Sequence, residues 1–182
     1  DIQGIGDKHA TWIHHVTNMD AIMCIDDIEC KKGLQLLTEE AGWNTLTRRH
    51  GISEADVQLM STLFGISGVC NVLGAIKTAR YYGLSSDDLI VTICTDAIDR
   101  YHSVMADLSA RFGPMDETEA AIRLASIFHS QKQDWVREGT REARRAWHNL
   151  KYYTWVEQQG KTVGELDQQL LPDYWLAEQA KV

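Results

Sequence analysis

A chain of 182 residues with 44% hydrophobic and 24% charged residues suits one domain, or one domain with an appendage, and can bury a core. Its net charge of -8 argues against non-specific nucleic-acid binding, which needs a basic face, and against a polybasic membrane surface. No apolar run approaches the ~20 residues of a spanning helix. Four cysteines without framework spacing (Cys24, Cys30, Cys70, Cys94) read as small buried hydrophobes of a reducing cytoplasm.

In chain order, the segment 1–6 reads Asp-Ile-Gln-Gly-Ile-Gly, and Gly4 and Gly6 allow close backbone approach to a ligand or form a plain turn. The first residue is Asp, which gives the expectation of a processed chain or a piece of something larger. His9, His14 and His15 follow without a Cys or acidic residue at metal-ligand spacing, so surface or partly buried histidines are the default. Residues 21–25 form a short apolar strand candidate. Asp26 and Asp27 can cap a helix over 28–41 with Leu34 and Leu37 inward and Gly42 at its close. The polar stretch 43–52 reads as loop. Ser53 with Asp56 three residues on is an N-cap pattern, opening a short helix through Val57, Leu59, Met60 and Leu63.

The next stretch organises the chain. A small-residue turn, Gly65 to Gly68, opens a segment in which Val69, Val72, Leu73 and Ile76 lie at i, i+3, i+4 and i+7, one face of a helix. Lys77 and Arg80 sit in its last turns and Gly83 follows, the chemistry of a helix C-terminus. Residues 89–94, Leu-Ile-Val-Thr-Ile-Cys, are a continuous β-branched run and predict a buried strand. Thr95 and Asp96 then stand at a strand end, where open α/β sheets bind ligands, or cap the helix that begins near Ile98.

From Gly113-Pro114 the character changes. An amphipathic helix is predicted over 117–129, and a long, charged, aromatic helix over 134–157. There Arg137, Arg141, Arg144 and Arg145 alternate with Glu138 and Glu142 as a solvated, salt-bridged face. Gly160 ends it, and 162–180 carries a short acidic helix and a tail with Tyr174 and Trp175. Exposed aromatics in such an appendage predict packing on another domain or subunit. The residues alone thus predict an α/β piece, 1–113, with a helical extension, 114–182, and no obvious nucleophile–base pair or metal cluster.

Three motifs in this order carry a resemblance: Ile2-Gln3-Gly4-Ile5-Gly6; Gly65-Ile66-Ser67 followed by a small-residue helix with Ala75-Ile76-Lys77; and 93–103 with Asp99-Arg100-Tyr101 and Ser103. Residues 1–105 resemble the C-terminal third of the cysteine synthase family, the fold-type II pyridoxal-phosphate (PLP) enzymes that include cystathionine β-synthase and threonine synthase. The resemblance implies an α/β fold, the C-terminal part of a PLP-binding large domain with a mostly parallel open sheet and flanking helices. The helical extension has no counterpart in the short cysteine synthases.

By that resemblance Ser67 matches the hydroxyl that hydrogen-bonds the pyridine nitrogen, with Gly65 at the head of its turn. Gly6 matches a loop glycine lying close to cofactor and substrate. Thr95 and Asp96 occupy the strand end facing the ring, where the short cysteine synthases have Pro-Ser. Gly68 replaces the second serine of the family's turn. A neutral hydroxyl leaves the ring a weaker electron sink, which suits β-elimination or β-replacement on a small amino acid. The family's Schiff-base lysine and phosphate loop lie upstream of the Gln-Gly-Ile-Gly segment. Lys77, about three turns past Ser67, does not stand in for that lysine. The implied protein is therefore half of an active site, completed by an N-terminal companion chain or segment in a homo- or hetero-oligomer. A threonine synthase-like or thiolase-like reaction and a non-catalytic regulatory or binding module are the alternatives.

Overall fold

The computed structural model describes residues 9–181. Helix dominates at 65%, and the sheet found among the described residues is an antiparallel pair of three-residue strands, β1 (Ala21–Met23) and β2 (Val136–Glu138). This overturns the expected α/β architecture with its parallel open sheet. The difference centres on residues 89–94. They form no strand, and Leu89, Val91 and Ile93 are 88%, 82% and 69% exposed. A strand needs a neighbour to complete its ladder. Among the described residues, one hydrogen bond reaches this run's backbone, donated by Asn71 Nδ2 to the Ile93 carbonyl at 2.8 Å. The composition is that of a buried strand, but no described neighbour buries it.

Local chemistry explains the helices. Asp26 Oδ1 accepts from the Ile28 and Glu29 N–H groups at 2.8 and 3.0 Å and starts α1 (Asp27–Thr38), with Leu34 and Leu37 buried as expected. α1 stops at the extended Glu39. α2 (Glu40–Asn44) then resumes and runs on as a π-helical turn, Thr45–Arg49, where a loop was expected. The Thr45 and Thr47 hydroxyls bond back to the Ala41 and Trp43 carbonyls, so polarity here serves helical geometry. Gly42 lies within α2 rather than closing α1. A Cβ there would meet the Leu36 carbonyl oxygen at 1.8 Å, so a close backbone approach demands glycine.

Ser53 caps α3 (Glu54–Leu63) by accepting from Asp56 N–H at 3.1 Å. α4 (Ile66–Tyr82) buries Val69 and Leu73 and ends at Gly83, whose φ of +64° lies in the left-handed region that glycine enters freely. After the run at 89–94 come a 3-10 turn, Ile98–Arg100, and α5 (His102–Phe112). The helix expected over 117–129 is α6 (Glu117–Arg123), continued by a π-helical turn, Leu124–His129. The expected long helix over 134–157 instead opens with β2. Only then does α7 (Arg141–Lys151) begin, capped by Thr140 and extended by a π-helical stretch, Tyr152–Gln158. A capping box of Thr162 and Glu165 starts α8 (Val163–Gln168), and α9 (Pro172–Gln179) has proline in its first turn.

The chain divides into two compact units. The first comprises Met23–Trp135 and packs α1 against α4, with α2, α3, α5 and α6 around them. Leu34, Leu36, Ile66, Val69 and Leu73 form its dry centre, joined by Leu124 and Ile127. Each such side chain contributes about 1.5–3 kcal/mol by leaving water. The second unit comprises the described residues up to Ile22 and those from Val136 onward, around Val16, Ala143 and Trp147.

Candidate functional site

Four of the five residues expected to face a cofactor meet at one place in the first unit. Ser67 is in the first turn of α4, whose N-cap, Gly65, offers no side chain to the helix start. Thr95 and Asp96 follow the exposed apolar run. Ser67 Oγ lies 2.5 Å from Thr95 Oγ1 and 3.2 Å from Asp96 Oδ1. Thr95 Oγ1 donates to the same carboxylate oxygen at 3.2 Å, and the Tyr101 phenol donates to Asp96 Oδ2 at 2.5 Å. One carboxylate thus gathers three hydroxyls. Gly6, the fifth residue, lies outside the described residues.

The electrostatics follow from that geometry. The hydrogen bond from Tyr101, the largest effect, and those from Thr95 and Ser67 hold the Asp96 carboxyl below its ordinary range against the opposing effect of burial. Burial, then the bond to Asp96, pushes the Tyr101 phenol up to about 12. The positive end of the α4 dipole favours a charge placed here. The site therefore presents an ionised Asp96 with neutral hydroxyls around it across the neutral pH range. Asp96 does not cap α5; its carboxylate is turned to Tyr101 and Ser67 instead.

Gly65 makes the assembly possible. A Cβ there would lie 2.5 Å from Asp96 Oδ1, 2.7 Å from Tyr101 Cε2 and 2.9 Å from the Asp96 carbonyl oxygen. The site is therefore a backbone cradle that glycine alone leaves open. Its donor set suits the nitrogen side of a heteroaromatic ring, since a Ser or Thr hydroxyl either donates or accepts. Among the described residues no lysine stands at it to anchor such a ring covalently. Lys77 lies toward the other end of α4: its side chain is 2% exposed, Nζ donates to the Cys24 carbonyl at 2.9 Å, and Asp134 Oδ1 is 3.7 Å away.

Lys77 is part of a polar feature that the sequence reading missed. A cavity of about 310 Å³ is lined by Cys24, Asp26, Glu29, Lys77, Lys132 and Trp135. Trp135 has φ +52°, an uncommon conformation for a bulky residue. The signal for Lys77 was present in its spacing, since Val69, Leu73 and Lys77 are each four apart on one stripe of α4. Of the histidines near the start, His15 stacks on Trp175 with ring centroids 4.3 Å apart. Among the described residues no three His, Cys, Asp or Glu side chains gather as a metal site.

No protein-family model, curated protein or solved structure matches this chain.

Proposed function

We propose that this chain is a component of a pyridoxal-phosphate-dependent amino-acid lyase or transferase of the β-eliminating or β-replacing kind, contributing the pyridine-nitrogen side of the site. The observation that carries the reading is the convergence of Ser67, Thr95 and Asp96, 28 and 29 residues apart in sequence, within 3.2 Å of one another. The motifs resembling the cysteine synthase family assign those positions to the cofactor, and the glycine cradle at Gly65 fits them.

When bound, PLP supplies an electron sink for bond breaking at the carbons of an amino acid. Ser67 would hold the ring nitrogen by a hydrogen bond, donating its hydroxyl proton to it while Thr95 and Asp96 stay hydrogen-bonded to each other beside it. Asp96, kept ionised by Tyr101, orients both hydroxyls. Thr95, the exposed member, would have to give up its bond to Ser67 for a ring to take it.

A companion polypeptide completes the protein in this reading. Support comes from residues 89–94: an apolar, β-branched run that is exposed and leads directly into Thr95 and Asp96. A strand of the companion laid beside it would satisfy its backbone and bury its side chains. The covalent lysine and the phosphate contacts belong to that companion. Among the described residues no single helix is long and apolar enough to cross a membrane, and the four free cysteines fit a reducing cytoplasm.

One observation favours a second reading, a non-catalytic binding module. Ser67 is only 2% exposed and its hydroxyl already has partners, so the cluster could serve to tie 95–101 to α4. The two separate on a single substitution. Ser67→Asp in the assembled complex should shift the cofactor absorbance and the rate by placing a carboxylate on the ring nitrogen. An unchanged spectrum and rate would remove Ser67 from the site.

A further inference from the structure

The first unit holds an apolar cavity that nothing above uses. It measures about 210 Å³ and is lined from α1, α3, α4 and two π-helical turns, with no polar atom facing it among the described residues. Its floor is the buried Leu36, Leu46, Val69 and Leu124. Ile52, Val72 and the rings of Phe64 and Phe128 also line it and are only half-buried, so the cavity has a mouth on their side.

Two features of the backbone shape this space. The π-helical turn Thr45–Arg49 supplies Leu46, and the turn Leu124–His129 supplies Leu124 and Phe128. Such turns are rare and recur at functional sites. The two rings at the mouth lean on glycines. A Cβ on Gly33 would lie 3.2 Å from Phe128 Cζ, and one on Gly68 would lie 3.1 Å from Phe64 Cδ1. Each ring thus takes room that a larger residue would occupy, and leaves the cavity beside it unfilled.

The lining decides what can enter. A water molecule needs about two to four polar partners, and here it finds none. Close-packed interiors seldom keep voids larger than a water molecule. A dry apolar cavity of about 150 Å³ takes up benzene. One of about 210 Å³ therefore suits a ring with a short alkyl chain, or a hydrocarbon chain of like volume.

We infer that this cavity binds an uncharged hydrocarbon body of about the size of butylbenzene. Two sources share that chemistry: a free alkylaromatic molecule, and the acyl tail of a lipid whose head stays in water at the mouth. Recognition comes from shape and desolvation, since no charged side chain lines the cavity among the described residues. The site is independent of the PLP reading and stands or falls separately.

The test is titration of the full chain with n-butylbenzene and, in a second arm, with octanoate, read by methyl NMR shifts. Saturable binding should move the methyls of Leu36, Leu46, Val69 and Leu124, while those of Val163 and Leu166 in the second unit stay fixed. Tighter binding of n-butylbenzene assigns a free alkylaromatic molecule, and tighter binding of octanoate assigns a lipid tail. Phenylpropanol, which carries a hydroxyl where n-butylbenzene has its terminal methyl, should bind at least tenfold more weakly. Val72→Phe and Ile52→Phe fill the cavity from two walls, and each should weaken n-butylbenzene at least tenfold. No saturable response of the parent chain to either probe, an equal response to the alcohol, or unchanged affinity in a variant whose circular dichroism matches the parent would overturn the assignment.

Discussion

Ser67 Oγ, in the first turn of α4, lies 2.5 Å from Thr95 Oγ1, 28 residues further along the chain. That pairing, with Asp96 beneath it, fastens the chain just beyond the exposed run 89–94 to a helix start. It also places the hydroxyl proposed for a cofactor nitrogen under the control of an ionised carboxylate.

Gly65→Ala should break this arrangement. The added Cβ would sit 2.5 Å from Asp96 Oδ1 and 2.9 Å from the Asp96 carbonyl oxygen. Forcing that displacement costs about 1–3 kcal/mol. Urea denaturation should show the loss, and cofactor uptake by the assembled protein should fall with it.

The Asp96–Tyr101 bond carries a pH signature. Asp96 is depressed in the folded protein, so its stabilisation is fully present above the ordinary carboxylate value of ~3.9 and is lost as pH falls through the folded value. Tyr101→Phe should raise the Asp96 titration midpoint in a carboxyl NMR titration and flatten the acid limb of the stability curve. In the parent protein, ultraviolet titration should find one phenol ionising at about 12.

Lys151 gives the opposite limb. Desolvation lowers its ammonium to about 8 in the fold from an ordinary ~10.4, so the unfolded chain binds more protons between those values. Stability contributed at this position should therefore rise from pH 8 toward pH 10. The difference in unfolding free energy between the parent and Lys151→Met, followed over that range by chemical denaturation, isolates the effect. At pH 7 the variant should already be weaker, because it leaves Gln169 Oε1 and two carbonyls without their donor.

The thiols should sort into two classes. Cys24 and Cys94 are exposed, whereas Cys30 and Cys70 are buried. The neighbouring Cys70 thiol and then burial push the Cys30 thiol up, which keeps it protonated and unreactive. A disulfide reagent should modify two thiols quickly under native conditions and all four after denaturation.

The apolar run should matter to assembly rather than to the fold of the chain itself. Val91→Lys and Ile93→Lys change exposed side chains, and such substitutions usually shift stability by no more than about 0.5 kcal/mol. Co-purification of the companion polypeptide should nevertheless fail in both variants.

Much of α1, α3 and α4 was legible in the sequence because local signals agree there. Asp26, Ser53 and Gly83 punctuate helices whose apolar positions keep the 3.6-residue period. Residues 89–94 were misread because β-branched composition says that a segment would make a good strand, not that a neighbour is at hand to pair with it. The stretch 43–52 was misread because its threonines satisfy their hydroxyls on the helix's own carbonyls, a use of polarity that looks like loop chemistry. Gly65–Gly68 and Thr95–Asp96 were each legible as candidate ligand loops, but their meeting was not, since no local period links positions so far apart. Lys77 and Lys151 were legible in principle: Val69-Leu73-Lys77 and Ala143-Trp147-Lys151 each continue a buried stripe at intervals of four. What the stripes do not reveal is the set of carbonyls waiting at their ends, because those come from distant segments.

The measurement that bears most directly on the central claim is borohydride reduction of the complex purified with this chain, followed by the mass of each polypeptide. A pyridoxyl adduct is expected on a lysine of the companion and none on this chain. Absence of the cofactor from every polypeptide in the preparation, or an adduct on Lys77, would contradict it.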